Sequence, residues 1–197
     1  ASDVTKELKL WLKEKSEQLK SGYSYELGGE SESSGDAMGA VSEKLPIAFL
    51  IIILLLIIQF NSARKTTIVL LTIPLGLIGI VAGLFFTGSF FSFTAFLGLI
   101  SLAGILINNG IVLLDRIDIE LKDTERSQID SLIQAANERF RPILLTTFTT
   151  SLGLIPLWIG GGAMWEPMAI GIIFGLLFAT IITLLFVPIM YKLLFKI

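Results

Sequence analysis

The sequence predicts an all-α polytopic membrane protein: five transmembrane helices and an interfacial helix, preceded by a short helix–strand segment. Three observations carry this reading. Of 197 residues, 53% are hydrophobic and only 16% charged, where a soluble domain is about a quarter charged. The apolar residues fall in five unbroken blocks, at 46–60, 66–87, 90–114, 142–160 and 167–191. A helix needs about 20 apolar residues to cross a hydrocarbon core of about 30 Å, and four blocks meet that length. The first block has 15 residues, Pro46 to Phe60, with Gln59 as its only interior polar residue. It is read as a span completed by its N-terminal flank.

The same composition excludes much else. Low charge and 14 Phe are incompatible with a disordered chain. Without Cys or His there is no disulfide scaffold, zinc finger or Ser-His-Asp triad. A net charge of −2 gives no general attraction for nucleic acid. The spans hold no nucleophile–base pair and no metal-ligand set, so neither an enzyme nor a cofactor is expected.

Residues 1–45 are of a different material. Val4, Leu8, Trp11, Leu12 and Leu19 recur at helical spacing between Lys and Glu, predicting an amphipathic helix over 3–20. Ser21-Gly22 ends it. Tyr23 to Leu27 alternates as a half-buried strand does, and Gly28-Gly29 closes that. One helix and one strand cannot enclose a core. Residues 31–45, rich in Ser, Glu, Gly and Ala, read as a linker gaining helix toward Lys44. The chain opens on Ala1 with no apolar leader before residue 46, the pattern expected of a processed chain or a piece of a longer one.

Orientation follows from the basic residues. Arg64, Lys65, Arg116, Lys122, Arg126, Arg139, Arg141, Lys192 and Lys196 all fall on one side of the predicted spans. The opposite connections, around 87–89 and 159–167, carry none. The positive-inside rule puts those nine in the cytoplasm, with the C-terminus, and residues 1–45 outside. In the longest connection, Ile129, Leu132, Ile133, Ala136 and Phe140 form one apolar helical stripe, predicting an interfacial helix over about 127–140. Pro142 follows where a new helix would begin.

The spans lack any Asp, Glu, Lys or Arg, Glu166 lying in the predicted outer connection. An ion-coupled carrier needs an ionisable group or ion cage at mid-membrane, so any carboxylate must come from another segment. The third block is the most polar. At 100° per residue Thr94, Ser101, Gly104, Asn108 and Asp115 share a face about 80° wide. The Asn108-Asn109 pair lies deep in the span, where an unpaired amide costs several kcal/mol. It reads either as an interhelical hydrogen bond or as part of a polar coupling site. On a helix through the fourth block, Arg139 just ahead of it and Thr146, Thr149, Thr150, Gly153 and Gly160 within it share a side. Arg139 is either an anchor at the membrane edge or a member of that site. Gly171, Gly175, Ala179 and Thr183 recur every four residues, and Gly76, Gly79, Gly83 and Gly104 stand in other spans, as small-residue seams do. Pro74 and Pro188 would each free a carbonyl and kink a helix. Gly160-Gly161-Gly162 reads as an outer turn, and no Lys follows it as in a phosphate loop.

Several stretches in order resemble a known family. They are Gln59-Phe60-Asn61-Ser62, Ile73-Pro74-Leu75-Gly76, Gly98 to Gly104, Asn108-Asn109-Gly110 through Asp115, Arg139-Phe140-Arg141-Pro142 through Thr147, and Gly153-Leu154-Ile155-Pro156. Together they resemble the C-terminal membrane half of a resistance-nodulation-division (RND) efflux transporter, hydrophobe/amphiphile exporter branch, over roughly 21–197. The resemblance implies helices eight to twelve of a twelve-helix protomer, with residues 1–30 the remnant of a periplasmic α+β porter subdomain. It implies a proton-driven multidrug pump of the bacterial inner membrane. Its partners would be the protomer's N-terminal half, two further copies in a homotrimer, a periplasmic adaptor, an outer-membrane channel and the lipid bilayer. The family's carboxylates sit on the fourth helix. Its tenth helix commonly supplies a relay Lys, where this chain has Asn108. Arg139 and Thr146 match the relay-associated positions of its eleventh helix. The alternatives are an RND exporter of metal or lipid, and a non-transporting scaffold or sterol-sensing-like module.

Overall fold

The computed structural model describes residues 11, 12, 15, 30–122 and 127–196. The chain divides into two compact units, 1–43 and 44–197. In the first, Trp11, Leu12 and Lys15 are helical, and the Lys15 ammonium lies 5.7 Å from the Trp11 ring centroid. The strand expected at 23–27 lies outside the described residues.

Six helices follow: α1 (Glu30–Phe60), α2 (Ala63–Leu70), α3 (Thr72–Thr87), α4 (Phe93–Glu120), α5 (Gln128–Gly160) and α6 (Gly162–Phe195). With α2 and α3 taken together, five are long and apolar enough to cross a membrane. The chain is a multi-pass membrane protein, and the five blocks are those five spans.

The helix ends follow from local chemistry. Asn61, at φ 46°, turns the chain out of α1, its N–H donating to the Ile57 carbonyl at 2.8 Å. Gly88, at φ 71°, ends α3, a left-handed position that glycine takes without a Cβ clash. The hydroxyls of Ser92 and Ser127 accept from the backbone N–H of Ala95 and Asp130, each at 3.2 Å, capping α4 and α5. The break at Leu71 stands three residues before Pro74, which has no N–H to continue the ladder to Leu70. Thr72 donates its hydroxyl to the Val69 carbonyl at 2.6 Å across that break.

Three boundaries differ from the sequence reading. Residues 31–45, read as linker, belong to α1, which continues through Pro46. The predicted interfacial segment is helical but runs without a break into the fourth span, with Pro142 inside α5. Glu138, whose carbonyl loses its N–H partner there, is exposed, so water can satisfy it. The outer connection around 159–167 shrinks to Gly161, and Glu166 is on α6.

α6 packs against α3, α4 and α5 and is the axis of the bundle. Leu102, Leu106, Ile170, Leu176 and Ile80 form the core toward one end, and Leu113, Leu114, Ile117, Val187 and Val69 toward the other. Small residues allow the close approach of α3 and α6. A Cβ added at Gly79 would stand 2.8 Å from the Gly175 Cα and 2.9 Å from the Phe174 carbonyl oxygen. One at Gly83 would meet the Phe174 Cβ at 2.5 Å; one at Gly76 would overlap Leu106, and one at Gly175 would overlap Leu102. Gly171 is looser, with its nearest neighbour, an Ile80 methyl, at 3.5 Å.

Candidate functional site

The polar residues of α4 and α5 divide into an inward and an outward set. Inward, Thr147 and Thr180 join α5 to α6 by a buried hydroxyl–hydroxyl bond of 2.7 Å. Thr94, at the start of α4, donates to the Met164 carbonyl of α6 at 2.5 Å. Asn109 is 9% exposed and also faces the bundle.

Outward stand the other residues singled out from sequence on these two helices. Ser101, Gly104 and Asn108 are exposed along α4, with Asp115 half-buried below them. Thr146, Thr149 and Gly153 are exposed along α5, with Arg139 and Thr150 half-buried. The Thr146 hydroxyl donates to the Ile143 carbonyl at 2.8 Å and Thr149 to Leu145 at 2.9 Å, so both are satisfied within their own helix. A Cβ added at Gly104 or Gly153 would meet nothing within 4 Å. Gly104, expected in a packing seam, therefore has no such neighbour in this chain. The Arg139 Nε is buried and without a hydrogen-bond partner. No hydrogen bond or ion pair among the described residues joins Asn108, Arg139 and Thr146 to one another.

Asn108, read as an interhelical bond or part of a coupling site, does not face the core of this chain. The bundle of this chain receives Asn109 instead, one residue and about 100° further round the helix. An amide left toward hydrocarbon is costly. The outward faces of α4 and α5 thus carry an exposed amide, exposed glycines and hydroxyls bonded within their own helix.

One cluster was not foreseen. At the end of the bundle that holds the basic residues, the Lys65 ammonium of α2 pairs with the Asp118 carboxylate of α4 at 2.5 Å. The Tyr191 hydroxyl of α6 donates to the other Asp118 oxygen at 3.1 Å. Arg116 pairs with Glu120 on its own helix and with Glu138 of α5. Arg64 donates to the Leu194 carbonyl at 3.3 Å. These contacts bind the ends of four helices together. The sequence signal was the acidic run Asp115, Asp118, Glu120 just past the third block, but no spacing rule names its partners on other helices.

Four of the five spans pack together, with α1 reaching their core through Leu56 and Phe60, and α4 and α5 turn polar residues away from that core, the architecture of a polytopic helical membrane protein. The chain belongs to the AcrB/AcrD/AcrF family, whose model matches residues 2–195; it is a transmembrane fragment of an RND efflux transporter. It is 36% identical over 177 residues to the swarming motility protein SwrC of Bacillus subtilis, covering 88% of this chain and 17% of that protein. It is 33% identical over 180 residues to the cobalt-zinc-cadmium resistance protein CzcA of Cupriavidus metallidurans, covering 89% and 17%. The crystal structure of a heavy metal efflux pump superposes with a TM-score of 0.74 at 25% identity, covering 91% of this chain and 18% of that one. The chain thus spans about a sixth of the length of the curated relatives it matches.

Proposed function

We propose that this chain supplies helices eight to twelve of a proton-driven RND exporter, and that the outward faces of α4 and α5 form one wall of its ion-coupling site. The observation that carries this is the exposure of Asn108, Gly104, Thr146 and Gly153 on helices whose other faces pack into the bundle. The opposite wall would be a carboxylate-bearing helix of the protomer's other half. Protonation of that carboxylate removes a charge facing the Asn108 amide and the Arg139 guanidinium, and the two walls re-pack. Asn108 donates and accepts hydrogen bonds but does not titrate, so it orients the carboxyl group in both states. Arg139, whose Nε is unsatisfied in this chain, favours the ionised state. The nine basic residues on one side favour a cytoplasmic position for the Lys65–Asp118–Tyr191 end. Residues 1–30 belong to a periplasmic porter subdomain, 31–45 connect it, and 46–197 are the membrane domain. The working assembly is an inner-membrane homotrimer with a periplasmic adaptor and an outer-membrane channel.

Amphiphile export is the first reading of the cargo. A metal cation is the second, favoured by the names of CzcA and of the heavy metal efflux pump. Cells lacking their own pumps, carrying the full-length parent, distinguish these readings. Resistance to dyes and detergents fits amphiphile export, and resistance to cobalt, zinc or cadmium fits metal export. Asn108→Leu should abolish either one while expression and assembly persist. Undiminished resistance in that variant would remove Asn108 from the coupling site.

A further inference from the structure

Between the first half of α5 and the second half of α6 runs an apolar groove of two contiguous hollows of about 320 and 410 Å³, sharing Ala136, Asn137, Leu184 and Leu185. Ile129 and Lys192 line one end, and Leu144 and Ile181 the other. From Ile181 to Lys192, α6 rises about 17 Å, close to the roughly 15 Å of one leaflet's hydrocarbon. Lys192 stands at the charged end of the bundle, one residue from Tyr191 and its Asp118 bond. Its ammonium is exposed and has no ion pair among the described residues.

We propose that this groove binds an anionic phospholipid, with one acyl chain along Leu184 and Leu185 and the headgroup phosphate at Lys192. The polarity of the groove is that of such a lipid: a cation at the water edge, then an apolar trough of leaflet depth. Basic pockets between spans at a membrane edge are where acidic headgroups are held. The flanking residues are already in the lipid-facing class, with Ile133, Phe140, Ile181 and Ile189 all exposed. The missing half of the protomer is not the natural occupant. Thr146 and Gly153, on the face assigned to it, lie about 120–140° around α5 from Phe140 in the groove. The site rests only on the chain being a membrane protein. The leaflet it would occupy follows from the orientation proposed above.

The test is native mass spectrometry of the full chain in a non-ionic detergent, with phosphatidylglycerol and phosphatidylcholine of equal chain length. The wild-type chain should retain phosphatidylglycerol about fivefold better, the contribution of one basic side chain at an anionic surface. Lys192→Gln should erase that preference. Leu185→Trp, which fills the trough, should lower retention of both lipids, and Lys122→Gln should change nothing. Helicity by circular dichroism checks that each variant is folded, and the wild-type preference needs no variant. Equal retention of the two lipids, or a preference untouched by Lys192→Gln, overturns the proposal. So does a dimer that Leu185→Trp dissolves, which would make the groove a contact between copies. So does a cross-link in the parent from position 185 to another segment of the protomer.

Discussion

The α3–α6 seam and the outward faces of α4 and α5 both carry glycine in a helix, and the two glycine sets stand in opposite surroundings. Gly79 and Gly83 have backbone or Cβ atoms of α6 where their own Cβ would be, and Gly104 and Gly153 have nothing. The first seam is finished within the chain. The second exposes small residues, an amide and hydroxyls, and no described helix packs on Gly104 or Gly153. Small-residue patterning in a membrane helix therefore marks close approach without saying whether the partner lies in the same segment.

The largest effect expected from this difference is on transport. The chain has a packed core of four helices and, on the function proposed above, only one wall of the polar site. In liposomes with an imposed pH gradient it should carry no dye or metal flux above empty vesicles. Robust flux would mean that the open face needs no partner.

Next in size is Gly79→Leu. Its side chain would have to displace the α6 backbone at Gly175, and overpacking of this kind costs about 1–3 kcal/mol or more. Folded yield and thermal midpoint in detergent should both fall. Gly104→Ala sharpens the contrast by going the other way. In the isolated chain it should raise stability by about 0.5–1 kcal/mol, the helix preference of Ala over Gly. In the full-length parent it should impair efflux, since the proposed function packs the other half on this face. Stabilisation in the chain with unimpaired efflux in the parent would show that Gly104 faces lipid in both.

The smallest effects belong to the inward polar contacts. Thr147→Val should cost about 1 kcal/mol, the net contribution of one hydrogen bond, and so should Tyr191→Phe, measured by unfolding of the isolated chain. Neither should alter the accessibility of position 108.

Much of this was legible beforehand. Block lengths located the five spans, because hydrocarbon thickness is an external ruler. The four-residue spacing of Gly171, Gly175 and Ala179 marked the α6 seam, where the packing leaves no room for a Cβ at Gly175 and room for little more at Gly171. Pro142 was misread: proline starts helices well, but it also sits inside one when the freed carbonyl is exposed. The turn between α5 and α6 was drawn too long because Glu166 looked like a loop residue, whereas a helix end at the membrane edge accepts a charge. Periodicity grouped Asn108 with Ser101 and Gly104 but could not say which way that group faces. Facing depends on which neighbours are present, and here Asn109 took the inside. The Lys65–Asp118–Tyr191 cluster joins three helices far apart in sequence, and nothing local names such partners.

Orientation is testable independently, since the chain has no native Cys. Single cysteines at Gly88 and Gly161 should react with an impermeant thiol reagent in intact spheroplasts. Those at Ser62 and Ser127 should not, and the reverse pattern would overturn the assigned sidedness.

The most direct measurement of the central claim is the oxygen accessibility of a nitroxide at Asn108→Cys, read by electron paramagnetic resonance in bilayers. It is made once in this chain alone and once in the full-length parent, with Asn109→Cys beside it. The label at 108 should collide freely with oxygen in the isolated chain and be shielded in the parent, while the label at 109 is shielded in both. Equal, high accessibility at 108 in the two proteins would show that this face meets lipid and not the other half of the pump.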